Sequence, residues 1–281
     1  MTEQNLSENK NAFHIPEIIP ILPLHNALVF PKTVIPLEVT GNAAVLVDEA
    51  MTKDRIIGLV MVKKEPEKQH LYAREDLHSV GTCAVIMKMA KTVDNHTQML
   101  LQGVSRFAIE EMIEGKPYQQ ARIKVIKEKE VKDLETEALM SNLLSLFDRI
   151  LKLSPFLPPE FGPMAKSITE AGTLADLITS IINAPVEEKQ KILDIVDVKE
   201  RLKELTRLVT HQMEILELGD KIQSKIKKDI DKSQRDYYLQ QQLKAIKQEL
   251  GETDDNLVEI EEYRKKIEEK NLPEEAKKEA L

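Results

Sequence analysis

Between Ile18 and Ile126 the apolar residues come in short runs whose period is two. Val85, Met87 and Met89 alternate with Ala84, Ile86 and Lys88, and Ala121, Ile123 and Val125 alternate with Arg122 and Lys124. Alternation of this kind marks strands with one face buried and one wet. The runs predict strands at Ile18–Leu24, Val34–Val39, 55–63, 82–89, 98–103, 106–113 and 119–126, in a largely antiparallel sheet or small barrel. Residues 41–53 interrupt them with Ala43, Ala44, Leu46, Val47, Ala50 and Met51 at helical spacing, which predicts one packed helix. Turn chemistry agrees with this division. Asp94-Asn95 separates two runs as a hairpin turn, and Gly115-Lys116-Pro117 separates the last two. Pro20, Pro23, Pro31 and Pro36 fall in or beside the first strands. Proline has no N–H for a ladder, so the opening segment is expected to be an irregular edge element.

After Val131 the period lengthens to about 3.6. Leu134, Ala138, Leu139, Leu143, Leu146, Phe147, Ile150 and Leu151 lie on one face of a helix that ends before Pro155. Short helices are expected at 160–167 and 173–183, the second with Leu174, Leu177, Ile178 and Ile181 on one side. Pro185 suits the first turn of a helix reaching Ile195, and Asp197 with Glu200 has the spacing of a capping box before a new helix at Val198. No proline follows until after residue 250. Apolar positions recur at Val198, Leu202, Leu205, Val209, Leu216, Leu218, Ile222, Ile226, Ile230, Leu239, Leu243, Ile246 and Leu250. About 53 helical residues at ~1.5 Å each span roughly 80 Å. The stripe is no clean heptad, Gly219 is a candidate bend, and a coiled-coil pairing is left open. Gly251 suits a C-cap, after which helical residues are expected at 257–270 and again from residue 272.

The fold class expected is therefore α+β: a mostly antiparallel, barrel-like β domain with one helix, then a helical bundle and a very long C-terminal helix. The expected divisions are a tail at 1–12, the β domain at 13–130, the bundle at 131–197, the long helix at 198–250 and a linker region at 251–281. With 281 residues and 42% hydrophobic content the chain is long enough for about two domains and a sizeable core. The net charge of −8 arises entirely after residue 127, since residues 1–127 carry as many basic as acidic side chains. No basic footprint for phosphate stands out, because the lysines of 221–247 are interleaved with Asp220, Asp229, Asp231 and Asp236; this argues against nucleic acid as a partner. One cysteine, Cys83, allows no internal disulfide, and there is neither a signal-peptide pattern nor an apolar run near the ~20 residues that span a bilayer. These features point to the cytoplasm and away from a membrane.

The motifs of catalysis are missing. There is no G-x-x-x-x-G-K-[ST] phosphate cradle and no G-x-S-x-G elbow, and the six histidines include no pair four apart. No catalytic, cofactor-binding or metal-binding residue is assigned. Ser224 and Lys225 are adjacent on a helix, and adjacent side chains point to different faces. Met87, Met89, Met99 and Met112 belong to the β half; core packing is their plain reading, and an adaptable surface for unfolded chains the functional one. Phe156, Leu157 and Phe161 sit in a proline-rich stretch, where they either pack on the bundle or offer a client contact. Tyr237 and Tyr238 diverge by about 100° on a helix, so at least one is expected to face a neighbouring module.

Several stretches resemble the N-terminal region of bacterial Lon proteases. Residues 20–31 (PILPLHNALVFP) resemble that family's opening strand and turn, and Val104-Ser105-Arg106 after Gly103 a recurrent turn of its β domain. Glu187-Glu188-Lys189-Gln190 and Arg201-Leu202 resemble its helical entry. Residues 234–251 (QRDYYLQQQLKAIKQELG) resemble the connection to its ATPase module, with Asp236 and Gln240-Gln241 in place of the commoner glutamate and arginine-glutamate. The resemblance implies an ATP-dependent serine protease working as a homohexamer on unfolded or degron-bearing proteins. Its ATP, Mg and serine-lysine dyad are expected downstream of Leu281, with no cofactor in this part. This region would then recognise substrates or adaptors through residues such as Met87, Met89, Met99, Phe156, Leu157 and Phe161 and support the hexamer. Arg235, Tyr237, Tyr238, Leu239 and Leu243 would couple it to the ATPase module. Two other readings are a structural spacer without client contact and an independent small-ligand domain, the latter disfavoured by a match that continues through Gly251.

Overall fold

The computed structural model describes residues 14–63, 72–92, 96–129, 131–249 and 265–266. The expected tail at 1–12, the Asp94-Asn95 turn and the Gly251 cap lie outside these residues. Of the helix expected at 257–270 only residues 265–266 are described, and they are helical. The helix expected from residue 272 also lies outside.

Six strands, β1 (Ile18–Leu24), β2 (Val34–Val39), β3 (Ile56–Met61), β4 (Val80–Lys91), β5 (Thr97–Ile113) and β6 (Gln120–Val125), follow the order β2-β5-β4-β3-β1-β6. A further β5–β6 pairing closes five of them into a barrel and leaves β2 as an extra strand on β5. Every pairing is antiparallel except β1 with β3. Strand alternation sorts the barrel's apolar residues into two clusters. Ile57 and Leu59 join Leu22, Leu24 and Leu101 in the cluster covered by helix α1 (Asn42–Thr52), which contributes Leu46, Val47 and Ala50. Ile56 and Val60 join Ile19, Ile21, Phe107 and Ile123 in the other. β3 is buried along its whole length because both of its faces are covered.

The opening strand is not an edge. β1 lies between β3 and β6, and its prolines are tolerated because each nitrogen faces a side where no ladder runs. Ile21 N–H donates to Gln119 O at 2.8 Å, so Ile21 and Pro23 turn their nitrogens toward β6, and Pro20 toward β3. The β6 pairing ends at Pro20 and the β3 pairing begins at Ile21, so neither proline removes a bond.

The two strands expected at 98–103 and 106–113 are one strand, β5, and Val104-Ser105-Arg106 is no turn. Cys83 pairs with Ser105 but Ala84 with Gly103, which leaves Val104 as the extra residue of a bulge. A bulge bends and twists a strand without ending it, and two more register shifts, at Ile86/Lys88 and Ile109/Glu111, let β5 curl from β2 round to β6. Gly103 is required at this bend. A Cβ there would lie 2.2 Å from Phe30 O, a backbone atom that cannot swing away.

Helices α2 (Leu134–Leu153), α3 (Phe161–Lys166), α4 (Ala171–Ile181), α5 (Val186–Asp194) and α6 (Val198–Glu249) follow. Their apolar stripes meet in one core of Leu143, Phe147, Ile150, Leu174, Ile178, Leu202, Leu205 and Val209. Asp133 caps α2 by accepting from Thr136 N–H at 2.9 Å, and Asp197 caps α6 by accepting from Glu200 N–H at 3.0 Å. Hydrogen bonds from Lys199, first, and from Thr136 pull the Asp133 carboxyl down to about 2. The chain forms one compact unit through Glu217 and a second from Leu218, where α6 continues without interruption.

Two outcomes follow for stability. Gly103→Ala should destabilise the first unit by about 1–3 kcal/mol, the usual cost of overpacking, read as a lower urea midpoint. The Asp133 carboxyl is lower in the folded than the unfolded chain, so its contribution is present above about pH 4 and is lost as pH falls toward 2. Asp133→Ala should therefore flatten the acid limb of a stability–pH curve.

Candidate functional site

Four charged side chains fasten the barrel to the helices. Arg106 alternates outward from β5, on the opposite side to Ser105, and its side chain has no solvent contact. Its guanidinium grips Asp176 of α4 through Nη1–H at 2.7 Å to Oδ2 and Nη2–H at 2.5 Å to Oδ1, while Nε–H donates to Leu193 O at 2.9 Å. Arg201 of α6, equally shut off, donates to Ile195 O at 2.9 Å and to Asp176 Oδ1 at 3.4 Å. Glu128, on the segment between barrel and helices, accepts from Arg106 at 2.6 Å and from Arg201 at 2.7 Å. Burial pushes the Asp176 carboxyl up, against the opposing pull of Arg106 and then Arg201. Around this knot Gln190 of α5 donates to Val80 O at 3.2 Å, and Lys32 pairs with Glu170. A cavity of about 500 Å³ lies beside the knot, lined in part by Lys32, Val104, Val131, Thr173 and Val198.

Cys83 is buried and its thiol is pushed up to about 12, chiefly by that burial, so no thiolate is available near neutral pH. Among the described residues no cluster of His, Cys, Asp and Glu could hold a metal ion, and no helix is long and apolar enough to cross a membrane.

The candidate client contacts divide by exposure. Phe156 is 94% exposed on the turn after α2, whereas Leu157 and Phe161, from the same stretch, pack partly against the helical core. Met87 is exposed and Met89 half-buried. Met99 offers almost no surface at 3% exposure, because alternation along β5 turns it into the cluster beneath α1, though it still borders a groove of about 540 Å³ with Leu37, Met89 and Leu100. Met112, in β5, is half-buried against the other barrel cluster.

A family model described as the ATP-dependent protease La (LON) substrate-binding domain matches residues 18–211. The chain belongs to the Lon protease family. The Lon protease of Syntrophus aciditrophicus is 56% identical over 284 residues, which cover all of this chain and 36% of that protein. The Lon protease of Dictyoglomus thermophilum is 41% identical over 281 residues, covering all of this chain and 35% of that protein. The chain thus spans about a third of the length of these relatives. The solved N-terminal domain of Mycobacterium avium complex Lon protease shares the fold, with a TM-score of 0.56 at 21% identity over 69% of this chain and 98% of that one.

In this Lon chain the second unit carries the other candidate residues. Tyr237 and Tyr238 are each 64% exposed, and Leu239 and Leu243 are exposed with Leu218, Ile222, Ile226 and Ile230 on the same helix. Arg235 is exposed as well. Sequence reasoning missed Arg106, Glu128, Asp176 and, as a buried charge, Arg201. A signal existed for one of them: Asp176 stands inside Leu174-Ala175-Asp176-Leu177-Ile178, a charge at a core position of an apolar stripe.

Asp176→Asn leaves two buried guanidinium groups short of a counter-charge and should cost about 3–5 kcal/mol. Glu128→Gln should cost clearly less, because the Glu128 side chain is 31% exposed and water can take its place. Urea unfolding of the two variants against the parent checks that ranking.

Proposed function

We propose that this chain is the non-catalytic, client-engaging and oligomer-supporting region of an ATP-dependent serine protease that degrades misfolded, damaged and short-lived regulatory proteins. The observation that carries the reading is the match of the Lon substrate-binding model over residues 18–211, the same unit that exposes Phe156 and Met87 and leaves Met89 half-buried. Apolar side chains held on a rigid body can cover the apolar segments that unfolded proteins expose, and thioethers adapt to varied shapes. In this reading ATP, Mg and the serine-lysine dyad belong to modules downstream, this region supports the hexamer, and the setting is the cytoplasm. Arg235, Tyr237, Tyr238, Leu239 and Leu243 would meet the ATPase module.

A second reading, a structural spacer with no client contact, is favoured by one feature: α6 runs for 52 residues as a single helix. Deleting residues 1–127 from the full-length protein separates the two, since a spacer tolerates that loss for unfolded clients.

Phe156→Asp and Met87→Asp in the full-length protein should raise KM for an unfolded client and leave ATP hydrolysis without client unchanged. Burying a Phe is worth ~1.5–3 kcal/mol, so the Phe156 variant should weaken the client's binding roughly tenfold or more. Unchanged KM in both variants would remove these residues from the site.

A further inference from the structure

β2 is paired on one side only. Gly103 N–H donates to Thr33 O at 2.9 Å, and the β2–β5 register keeps the same offset from Val34 opposite Gln102 to Val39 opposite Thr97. Backbone groups in a strand alternate sides, so Ile35, Leu37 and Val39 bond to β5, while Val34, Pro36 and Glu38 turn theirs to the opposite edge. The β4–β5 ladder has the same parity. Thr92 N–H donates to His96 O at 2.9 Å, which makes Lys91–Thr97 a non-bonded pair and turns Thr97, Met99 and Leu101 toward β2. Among the described residues nothing pairs with the outer edge of β2.

An unpaired edge is a template for another strand. Here its middle position is the one residue type without an N–H. Side-chain parity matches, because Val34, Pro36 and Glu38 are exposed while Ile35, Leu37 and Val39 face inward. Pro36 therefore costs no bond to β5 and removes the central donor from the free edge. Glu38 stands two residues on, its carboxylate drawn toward β5, where Gln98 donates to it at 2.9 Å and His96 pairs with it.

We propose that Pro36 guards this edge against strand addition: without its central donor the edge cannot complete a ladder with an extended polypeptide, and two copies do not join edge to edge. The inference rests on the β2 geometry and stands whether or not the chain engages clients.

The test uses the full 281-residue chain. Pro36→Val restores a donor and a strand-forming side chain; Val34→Pro blocks the same edge one outward position earlier and, by the parity above, costs no β5 bond. Light scattering over a concentration series should show a larger mass for Pro36→Val than for the parent, with an added intermolecular strand band in the infrared amide I region. Val34→Pro/Pro36→Val should return to the parent's mass and spectrum. The proposal is overturned if folded Pro36→Val matches the parent's mass at every concentration, or if the double variant associates as Pro36→Val does. Unfolding of Pro36→Val also overturns it, since an outward nitrogen means that the ladder does not depend on the proline.

Discussion

Two guanidinium groups without solvent contact, Arg106 on the barrel and Arg201 on α6, must find counter-charges inside the protein, and the first unit is organised by that need. Removing a charge from water costs several kcal/mol even after relaxation, and only near-ideal geometry returns it. Asp176 and Glu128 supply that geometry from two further segments, so β5, the connecting segment, α4 and α6 must all be in place before the charges are satisfied. Such a contact adds little net stability over apolar packing, but it penalises every misplaced arrangement. Gly172 belongs to the same constraint, because a Cβ there would come within 2.4 Å of Glu128 Oε2.

The barrel's closure depends on a different device. β5 has to pair with three neighbours, and bulges at Val104 and near Met87 and Glu110 supply the curvature that a regular strand lacks. Its close passage over Phe30 is possible because Gly103 has no side chain. Proline is handled by the same logic of direction: Pro20, Pro23 and Pro36 all stand where their nitrogens face no partner. Closure, and an outer β2 edge that lacks its central donor at Pro36, leave the barrel less backbone to share with other chains. This agrees with the proposed client-engaging role, in which recognition rests on exposed side chains such as Phe156 and Met87.

The second unit has the opposite character. From Leu218 onward α6 exposes its apolar residues, and a helix with that pattern gains little from its own packing. Its resemblance to the Lon connecting segment was carried by Tyr237, Tyr238 and the glutamines, residues whose value lies in what they touch rather than in local propensity. The sequence marks these positions as candidates, and the structure adds that they are exposed.

Local periodicity determined most of the elements. The change from period two to 3.6 near Val131, the caps at Asp197 and the turn at Gly115 depend only on neighbours in the chain, and so does the recognition of residues 234–251. Three things waited for the tertiary structure. The Val104 bulge reads as a strand break in one dimension, because the pairing that carries β5 through it comes from β4. β1 reads as an edge, because a proline's cost depends on which side its nitrogen faces. Met99 reads either as core or as an adaptable surface, and Arg106, Asp176 and Arg201 do not read as buried charges, because exposure is decided by which face meets a partner and a counter-charge can come from 70 residues away. Composition and spacing set what the chain can form; the direction of each group, which no linear pattern records, set what it does.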